Sequence, residues 1–134
     1  WQLPQLNELV EQAIAEELQT QQKELDNQTA RPVRMALDYI AENYAQKIGL
    51  DEIAEMLQMN SSYFSTLFKK ETGRNFQNYL TEYRIEKAKE LLRTTNETMM
   101  SVAEQVGYQD TRYFSQCFVK VVGVKPSLYR KMYS

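Results

Sequence analysis

The chain has 134 residues, of which 43% are hydrophobic and 25% charged, with four Gly, three Pro and no His. This length and composition suit a globular protein with one or two small cores, and no apolar run approaches the roughly 18 residues of a membrane span. The net charge of −2 is unevenly distributed, since residues 1–29 hold one basic and six acidic residues while residues 61–134 hold 12 basic and 7 acidic residues. The second half therefore has a modest basic character that the whole-chain charge hides.

The N-terminal region, residues 1–30, is predicted to be an amphipathic linker helix. Leu, Glu, Gln and Ala dominate residues 3–26, and Pro4 is acceptable in a first helical turn. The apolar residues form one stripe with imperfect heptad spacing, at Leu3, Leu6, Val10, Ile14, Leu18 and Leu25. Such a stripe either covers a neighbouring core or serves as a dimerisation or signalling surface. Because the chain begins with Trp1 rather than Met, we expect it to be a fragment of a longer protein.

Residues 31–134 are predicted to be all-α, and no segment alternates polar and apolar residues as a strand would. Helical periodicity and end signals predict helices at about 33–45, 50–57, 61–72, 76–93, 98–106 and 111–122, and a last one that starts at 126. Asn60 or Ser61, Thr98 and Asp110 are the expected N-terminal caps. Gly73 and Gly123 stand where two of the helices should end.

Two stretches of the chain, 63–79 and 113–129, repeat one pattern at a separation of 50 residues. The repeated residues are Tyr63-Phe64-Ser65, Phe68, Lys70, Gly73 and Tyr79, which recur as Tyr113-Phe114-Ser115, Phe118, Lys120, Gly123 and Tyr129. A repeat of this kind means that one supersecondary unit is used twice. A short helix and a brief turn precede each copy, so the repeated unit is predicted to be a helix-turn-helix.

Each unit needs a small residue in its first helix, so that the second helix can cross closely, and Ala54 and Ala103 occupy that position. The residues expected to lock the crossing are Ile53, Leu57, Met59, Phe64, Leu67 and Phe68 in the first copy, and Val102, Val106, Tyr108, Phe114, Cys117 and Phe118 in the second. Ten positions separate Ala54 from Phe64, but eleven separate Ala103 from Phe114. We therefore expect the second turn to be one residue longer.

The outward faces of the second helices are predicted to contact DNA bases. The residues expected there are Ser61, Ser62, Ser65 and Thr66 in the first copy and Thr111, Arg112, Ser115 and Gln116 in the second. Arg prefers guanine O6 and N7, Gln prefers adenine N6 and N7, and Ser and Thr are permissive. Solvated helix faces carry the same residue types in most proteins. Two copies with one burial plan and a basic flank nevertheless favour DNA.

Three signatures extend this pattern. The first runs from Leu50-Asp51-Glu52-Ile53-Ala54 through Tyr63-Phe64-Ser65 to Phe68-Lys69-Lys70-Glu71-Thr72-Gly73. The second is Tyr83-Arg84-Ile85-Glu86-Lys87-Ala88 with Leu91-Leu92, and the third joins Val102-Ala103, Val106-Gly107-Tyr108, Tyr113-Phe114-Ser115, Phe118, Lys120, Gly123, Pro126-Ser127 and Tyr129-Arg130. With these signatures, residues 33–134 resemble the DNA-binding domain of the AraC/XylS family of bacterial transcription regulators.

The resemblance implies seven helices in two helix-turn-helix subdomains, at about 50–73 and 98–123, joined by the long helix 76–93. It implies that one monomer inserts two recognition helices into successive major-groove segments, roughly 34 Å apart, on a non-palindromic site. By matched position, Ser62, Ser65 and Thr66 would face one segment, and Arg112, Ser115 and Gln116 the other. The first set lacks Arg, Gln and Asn, so we expect the second copy to carry more direct readout and the first more shape or water-mediated readout.

Other partners follow from the same resemblance. It implies a bacterial cytoplasmic protein at the nucleoid, with RNA polymerase as a partner. A missing sensor or receiver domain would precede the chain, and a homodimer would form through that domain or through residues 3–25.

The phosphate contacts are expected from helix N-termini and flanking residues. The candidates are Lys69, Lys70, Arg74, Lys120, Lys125, Ser127 and Arg130.

Three further predictions concern single residues and the competing functions. Arg84 lies among apolar neighbours and is predicted to be structural, paired with a nearby carboxylate. The lone Cys117 excludes an internal disulfide and fits a reducing compartment. Without His, paired Cys or a glycine-rich phosphate loop, we expect no enzyme, no catalytic residue, no metal and no cofactor. We also expect no membrane contact by this chain. The alternative function is a helical protein-interaction module that uses the stripe at 3–25.

Overall fold

The computed structural model describes residues 30–133, and this part of the chain forms seven α-helices and no strand. The helices are α1 (Arg31–Asn43), α2 (Leu50–Met56), α3 (Ser61–Thr72), α4 (Phe76–Thr94), α5 (Met99–Gln105), α6 (Thr111–Val122) and α7 (Pro126–Tyr133). The all-α prediction is confirmed, and the seven predicted helix starts and the six predicted helix ends all lie within two residues of the observed ones. The predicted helix at 3–26 lies outside the described residues, so the division into 1–30 and 31–134 stays a prediction.

The helix ends follow from local side-chain chemistry. Asn60, Thr98 and Asp110 each accept a hydrogen bond from a backbone N–H in the first turn of the next helix, at 2.9 to 3.1 Å. These bonds satisfy amide groups that have no partner inside the helix. Gly73 and Gly123 end α3 and α6 with φ of 80° and 96°, in the left-handed region that glycine adopts without a steric penalty.

The buried side chains form two separate clusters. The first core contains Val33, Ala36, Ile40, Ile53, Ala54, Phe64, Phe68, Phe76 and Leu80. The second core contains Ile85, Ala88, Leu92, Val102, Ala103, Val106, Tyr108, Phe114, Cys117, Phe118 and Tyr129. Helix α4 therefore gives its N-terminal half to the first core and its C-terminal half to the second. The first subdomain comprises α1–α3, and the second comprises α5–α7.

The buried positions largely match the predicted ones. Ala54 and Ala103 are fully buried beneath the helix crossings, and so are the two phenylalanines of each copy. Leu57, Met59 and Leu67 are only partly buried against the first core. The first copy is therefore less completely enclosed than the second, where all six predicted core residues are buried.

The second turn is one residue longer than the first, as the spacing predicted. In both turns a backbone N–H bonds to the carbonyl of the buried alanine, at 2.8 Å in each copy. The capping residue follows that N–H directly in the first copy but one residue later in the second. The extra residue is therefore Gln109, which stands between Tyr108 and the cap Asp110.

Candidate nucleic-acid interface

Helix α3 presents a short face of hydroxyl groups to solvent. Its phenylalanines are buried, whereas Ser62 and Thr66 are exposed one turn apart on the opposite side. Ser61 and Ser65 are partly buried at one edge of this face. The Thr66 hydroxyl donates to the Ser62 carbonyl at 3.1 Å, so its remaining capacity is to accept hydrogen bonds. The predicted base-contacting residues of the first copy therefore lie together on one face.

Helix α6 presents the matched face with longer, more polar side chains. Arg112 and Gln116 are exposed one turn apart, and Thr111 and Ser115 are partly buried at the edge. Neither ion pair found among residues 30–133 involves Arg112. The guanidinium and the amide on this face match the two bidentate base contacts that proteins use most for guanine and adenine.

Helix α6 also exposes an apolar residue on the stripe that carries Arg112 and Gln116. Val119 is 39% exposed and lies seven residues after Arg112, which is two helical turns further along. The equivalent position of α3 holds Lys69. No role was predicted for Val119, because only polar residues were considered as base contacts. Its position opposite Phe114 on the helix is the signal that identifies it as exposed.

Two tyrosines, Tyr63 and Tyr113, are exposed at matched positions on α3 and α6, by 63% and 54%. Both tyrosines belong to the repeated pattern, which could have marked them as functional residues, but no role was predicted for them. The Tyr113 ring lies 5.9 Å from that of Tyr108, edge to face. Burial raises the pKa of Tyr108, and a hydrogen bond with Cys117 raises the pKa of Tyr113. The phenols of Tyr108 and Tyr113 are therefore uncharged at neutral pH and repel no phosphate.

The phosphate-contact candidates differ in whether their polar groups already have partners within the protein. Five of them are exposed near helix ends: Lys69 and Lys70 on α3, Lys120 on α6, Lys125 directly before α7, and Ser127 in the first turn of α7. Their side chains enter neither of the ion pairs found in the described part of the chain. These five groups can therefore turn toward an anionic ligand without giving up such a contact.

Arg74 is exposed but already paired, since its Nε lies 2.7 Å from Glu82 Oε2. Both side chains are more than a third exposed, and an ion pair of that kind contributes little stability. Arg74 can therefore exchange its carboxylate for a phosphate at small cost.

Arg130 is held in place by the backbone. Its Nε donates to the Leu92 carbonyl at 3.1 Å and its Nη1 to the Glu97 carbonyl at 2.6 Å. The remaining Nη2 is buried and has no partner among the described residues. These bonds tie α7 to the end of α4 and occupy two of the three nitrogens of this guanidinium. The geometry favours a structural role for Arg130, in addition to the predicted phosphate contact.

The prediction for Arg84 is half right. The side chain is tethered inside the protein, but its partners are carbonyl oxygens and not the carboxylate that was expected. Nε donates to the Tyr44 carbonyl at 2.6 Å, and Nη2 donates to the Gln46 carbonyl at 2.8 Å. A loop that ends a helix offers unsatisfied carbonyl groups, and a guanidinium with five donors suits two of them at once.

Comparison with known proteins places this geometry in a family. The sequence model of a helix-turn-helix domain matches residues 53–132. The raffinose operon transcriptional regulatory protein RafR of Pediococcus pentosaceus is 38% identical over 97 residues, which are 72% of this chain and 35% of RafR. The C-terminal domain of AraT, a response regulator from Geobacillus stearothermophilus, is 39% identical with a TM-score of 0.75, over 77% of this chain and 86% of that one.

A third likeness concerns the fold alone. The DNA-binding domain of AdpA, whose structure was solved in complex with a target DNA, superposes with a TM-score of 0.74 at 22% identity, over 78% of this chain and 94% of that one. The chain belongs to the AraC/XylS family of helix-turn-helix transcription regulators. That family is one of DNA-binding regulators and not of enzymes.

The chain spans only part of the length of its curated relatives, with 39% of YobQ from Bacillus subtilis and 35% of RafR covered. None of the helices at 31–133 has the length and hydropathy that a bilayer crossing requires.

Proposed function

We propose that residues 31–134 bind double-stranded DNA sequence-specifically, as the output domain of a bacterial transcription regulator. The observation that carries this proposal is the duplicated polar face, which α3 and α6 present from one scaffold used twice. A monomer with two such faces can place two recognition helices in successive major-groove segments, roughly 34 Å apart. The two faces carry different side chains, so the site they recognise is asymmetric.

The side chains on these faces indicate that the two helices recognise DNA in different ways. Arg112 and Gln116 of α6 supply bidentate donors and acceptors for base edges, with Thr111 and Ser115 beside them. The face of α3 supplies hydroxyl groups alone, at Ser61, Ser62, Ser65 and Thr66. Direct readout is therefore concentrated in the segment under α6. The segment under α3 is recognised more through DNA shape and bridging water.

Phosphate contacts fix the register of this arrangement without reading sequence. Lys69 and Lys70 at the end of α3, and Lys120 at the end of α6, would contact the backbone beside each groove. Lys125 and Ser127 would contact it at the start of α7. Arg74 would join them after it releases Glu82, and Arg130 completes the predicted set.

The whole protein would act through partners beyond this chain. RNA polymerase is the proposed partner in transcription, in the bacterial cytoplasm at the nucleoid. A sensor or receiver domain would precede residues 1–30, and a homodimer would form through that domain or through the stripe at 3–25. The AraT likeness supports a receiver, because AraT is itself a response regulator.

Selection of bound sequences from a random duplex library tests the proposed function. We expect enrichment of one asymmetric site with two sequence blocks, whose centres lie about 10–10.5 base pairs apart. The block under α6 should show the stronger base preference. The absence of enrichment at low salt would contradict DNA binding, and a single block or a palindrome would contradict the use of both faces by one monomer.

Arg112→Ala is expected to relax the preference at one base pair of the selected site, at a cost of about 1–3 kcal/mol in specific binding. The physical reason is the loss of a bidentate contact that only one base edge completes. The measurement is a comparison of affinities for the selected duplex, for its three variants at that position, and for an unrelated duplex.

The matched control is Ser62→Ala, at the equivalent position of α3, which should change the same preferences much less. Lys125→Ala should weaken all duplexes about equally. If Arg112→Ala weakened binding to specific and unrelated duplexes by the same factor, Arg112 would be a phosphate contact. The proposal that direct base readout is concentrated in α6 would then be wrong.

A further inference from the structure

The two subdomains meet at one point beside the middle of α4. Arg84 lies on this helix between Leu80 of the first core and Ile85 of the second. Its guanidinium donates to the carbonyls of Tyr44 and Gln46, at 2.6 and 2.8 Å, in the loop that follows α1. The middle of α4 is thereby anchored to the first subdomain by two charge-assisted hydrogen bonds.

The second subdomain presses on the same place through Gly107. A Cβ atom at Gly107 would lie 3.0 Å from Arg84 Nε, 3.0 Å from the Tyr44 carbonyl oxygen and 3.1 Å from Ala45 Cα. The turn between α5 and α6 therefore contacts the loop after α1 so closely that a side chain at Gly107 would have to displace its neighbours. Gly107 also has a φ of 103°, which strains any other residue, whereas the matched residue of the first copy, Gln58, has a φ of 57°.

The Tyr108 ring completes the contact from the second subdomain. Arg84 Cζ lies 5.4 Å from the centre of this ring, within the range of a cation–π interaction. Tyr108 itself is buried in the second core. One guanidinium thus holds two carbonyls of the first subdomain and one aromatic ring of the second.

Few other contacts fix the angle between the subdomains. Within residues 30–133, α4 packs against helices of both, but no helix of α1–α3 packs extensively on one of α5–α7. Open clefts of about 820 and 570 Å³ lie on either side of α4. The first is lined by Lys47, Arg84 and Tyr113 among others, so it runs directly beside the contact. Helix α4 and the Arg84 contact therefore share the task of orienting α3 relative to α6.

We propose that Arg84 and Gly107 form a junction that sets the angle between the two helix-turn-helix units and thereby selects the spacing of the two DNA segments. The inference rests on the proposed function. A rotation of about 10° at the junction, over an arm of roughly 17 Å to each recognition helix, displaces that helix by about 3 Å. One base pair rises about 3.4 Å, so an error of this size misplaces the helix by nearly one base pair.

The test compares Gly107→Ala and Arg84→Met in the full 134-residue chain with duplexes whose two blocks lie one base pair closer or further apart than in the selected site. We expect the wild-type chain to prefer its own spacing by roughly tenfold or more, because each misplaced base contact costs about that factor. In both variants this preference should fall by roughly threefold to tenfold, or move to another spacing. Equal weakening at all three spacings would overturn the proposal.

Two further variants separate positioning from general stability. Arg84→Lys keeps the charge and should recover part of the spacing preference, because an ammonium group reaches one carbonyl but has no second fixed donor. Gln58→Ala, at the turn position equivalent to Gly107, should leave the preference unchanged. A loss of preference in Gln58→Ala equal to that in Gly107→Ala would place the effect in the turn and not in the junction.

A measurement without DNA decides on the junction independently. Residual dipolar couplings of the amides in α3 and α6 report the relative orientation of the two helices. We expect one orientation in the wild-type chain, and a changed or averaged one in Gly107→Ala and Arg84→Met. An unchanged orientation in both variants would overturn the proposal. If the wild-type chain bound no duplex, the proposed function and the selection of spacing would fail together, and the couplings would still decide whether the junction sets the angle.

Discussion

Phe118→Ala is expected to lower the free energy of unfolding by about 3–5 kcal/mol. The Phe118 side chain is fully buried in the second core, with its ring 6.0 Å from that of Phe114 and 5.6 Å from that of Tyr129. Its removal forfeits the burial of a whole ring and leaves a cavity between α6 and α7 that these neighbours cannot fill. Urea denaturation followed by circular dichroism measures the change.

The loss should be confined largely to one subdomain, because the two cores share no buried residue. In native-state hydrogen exchange, Phe118→Ala should reduce amide protection in α5–α7 much more than in α1–α3. The matched variant Phe68→Ala should do the reverse, since Phe68 packs against Phe64 and Phe76 in the first core. Equal loss across both subdomains in each variant would mean that the domain unfolds as one unit.

The features that sequence predicted well are those set by local chemistry. Asn60, Thr98 and Asp110 cap helices because short polar side chains reach the free amides of a first turn. The burial of Ala54 and Phe64, and of their counterparts, follows from the helical period and from the repeat, since two aligned copies must bury the same positions. The spacing also predicted a longer second turn.

The features that sequence missed depend on residues far apart in the chain. Arg84 bonds to carbonyls 38 and 40 positions away, and Arg130 bonds to carbonyls 33 and 38 positions away. Composition gives an arginine a charge but does not say which backbone oxygens surround it. Arg130 was therefore grouped with the exposed phosphate-contact candidates, and Arg84 was given a carboxylate partner that it does not have. The close approach at Gly107 was hidden for the same reason, because its neighbours belong to the other subdomain.

The exposed residues of α6 illustrate an intermediate case. The periodicity predicted that Arg112 and Gln116 face outward, and both are exposed. The same periodicity places Val119 on their side of the helix, although no role was predicted for it. Helix geometry, and not residue type, decides which residues of α6 are exposed. Base contact by Arg112 and Gln116 stays a prediction.

Affinity for the selected duplex is expected to fall steeply with salt. Each phosphate neutralised by a cation lowers the logarithm of the binding constant by about 0.9 per tenfold rise in salt. If four to six of the predicted cations contact phosphates, affinity should fall by roughly 10²–10³ between 50 and 200 mM salt. Lys69, Lys70, Lys120 and Lys125 enter neither ion pair of the described chain. These four cations alone would account for a fall of roughly 10². Arg74 and Arg130 add to it only if they give up Glu82 and the backbone carbonyls. Fluorescence anisotropy over a salt series measures the slope.

Single lysines separate the contributions to this slope. Lys125→Ala should reduce the slope by roughly 1, because one counterion fewer is released on binding. The control is Lys89→Ala, since the Lys89 ammonium lies 3.1 Å from Glu86 and near the Tyr129 ring and should take no part. A reduction by Lys89→Ala as large as that by Lys125→Ala would move the phosphate contacts from the end of α6 and the start of α7 toward α4. A flat dependence in the wild-type chain would contradict electrostatic DNA binding altogether, and it would favour a protein partner for the stripe at 3–25.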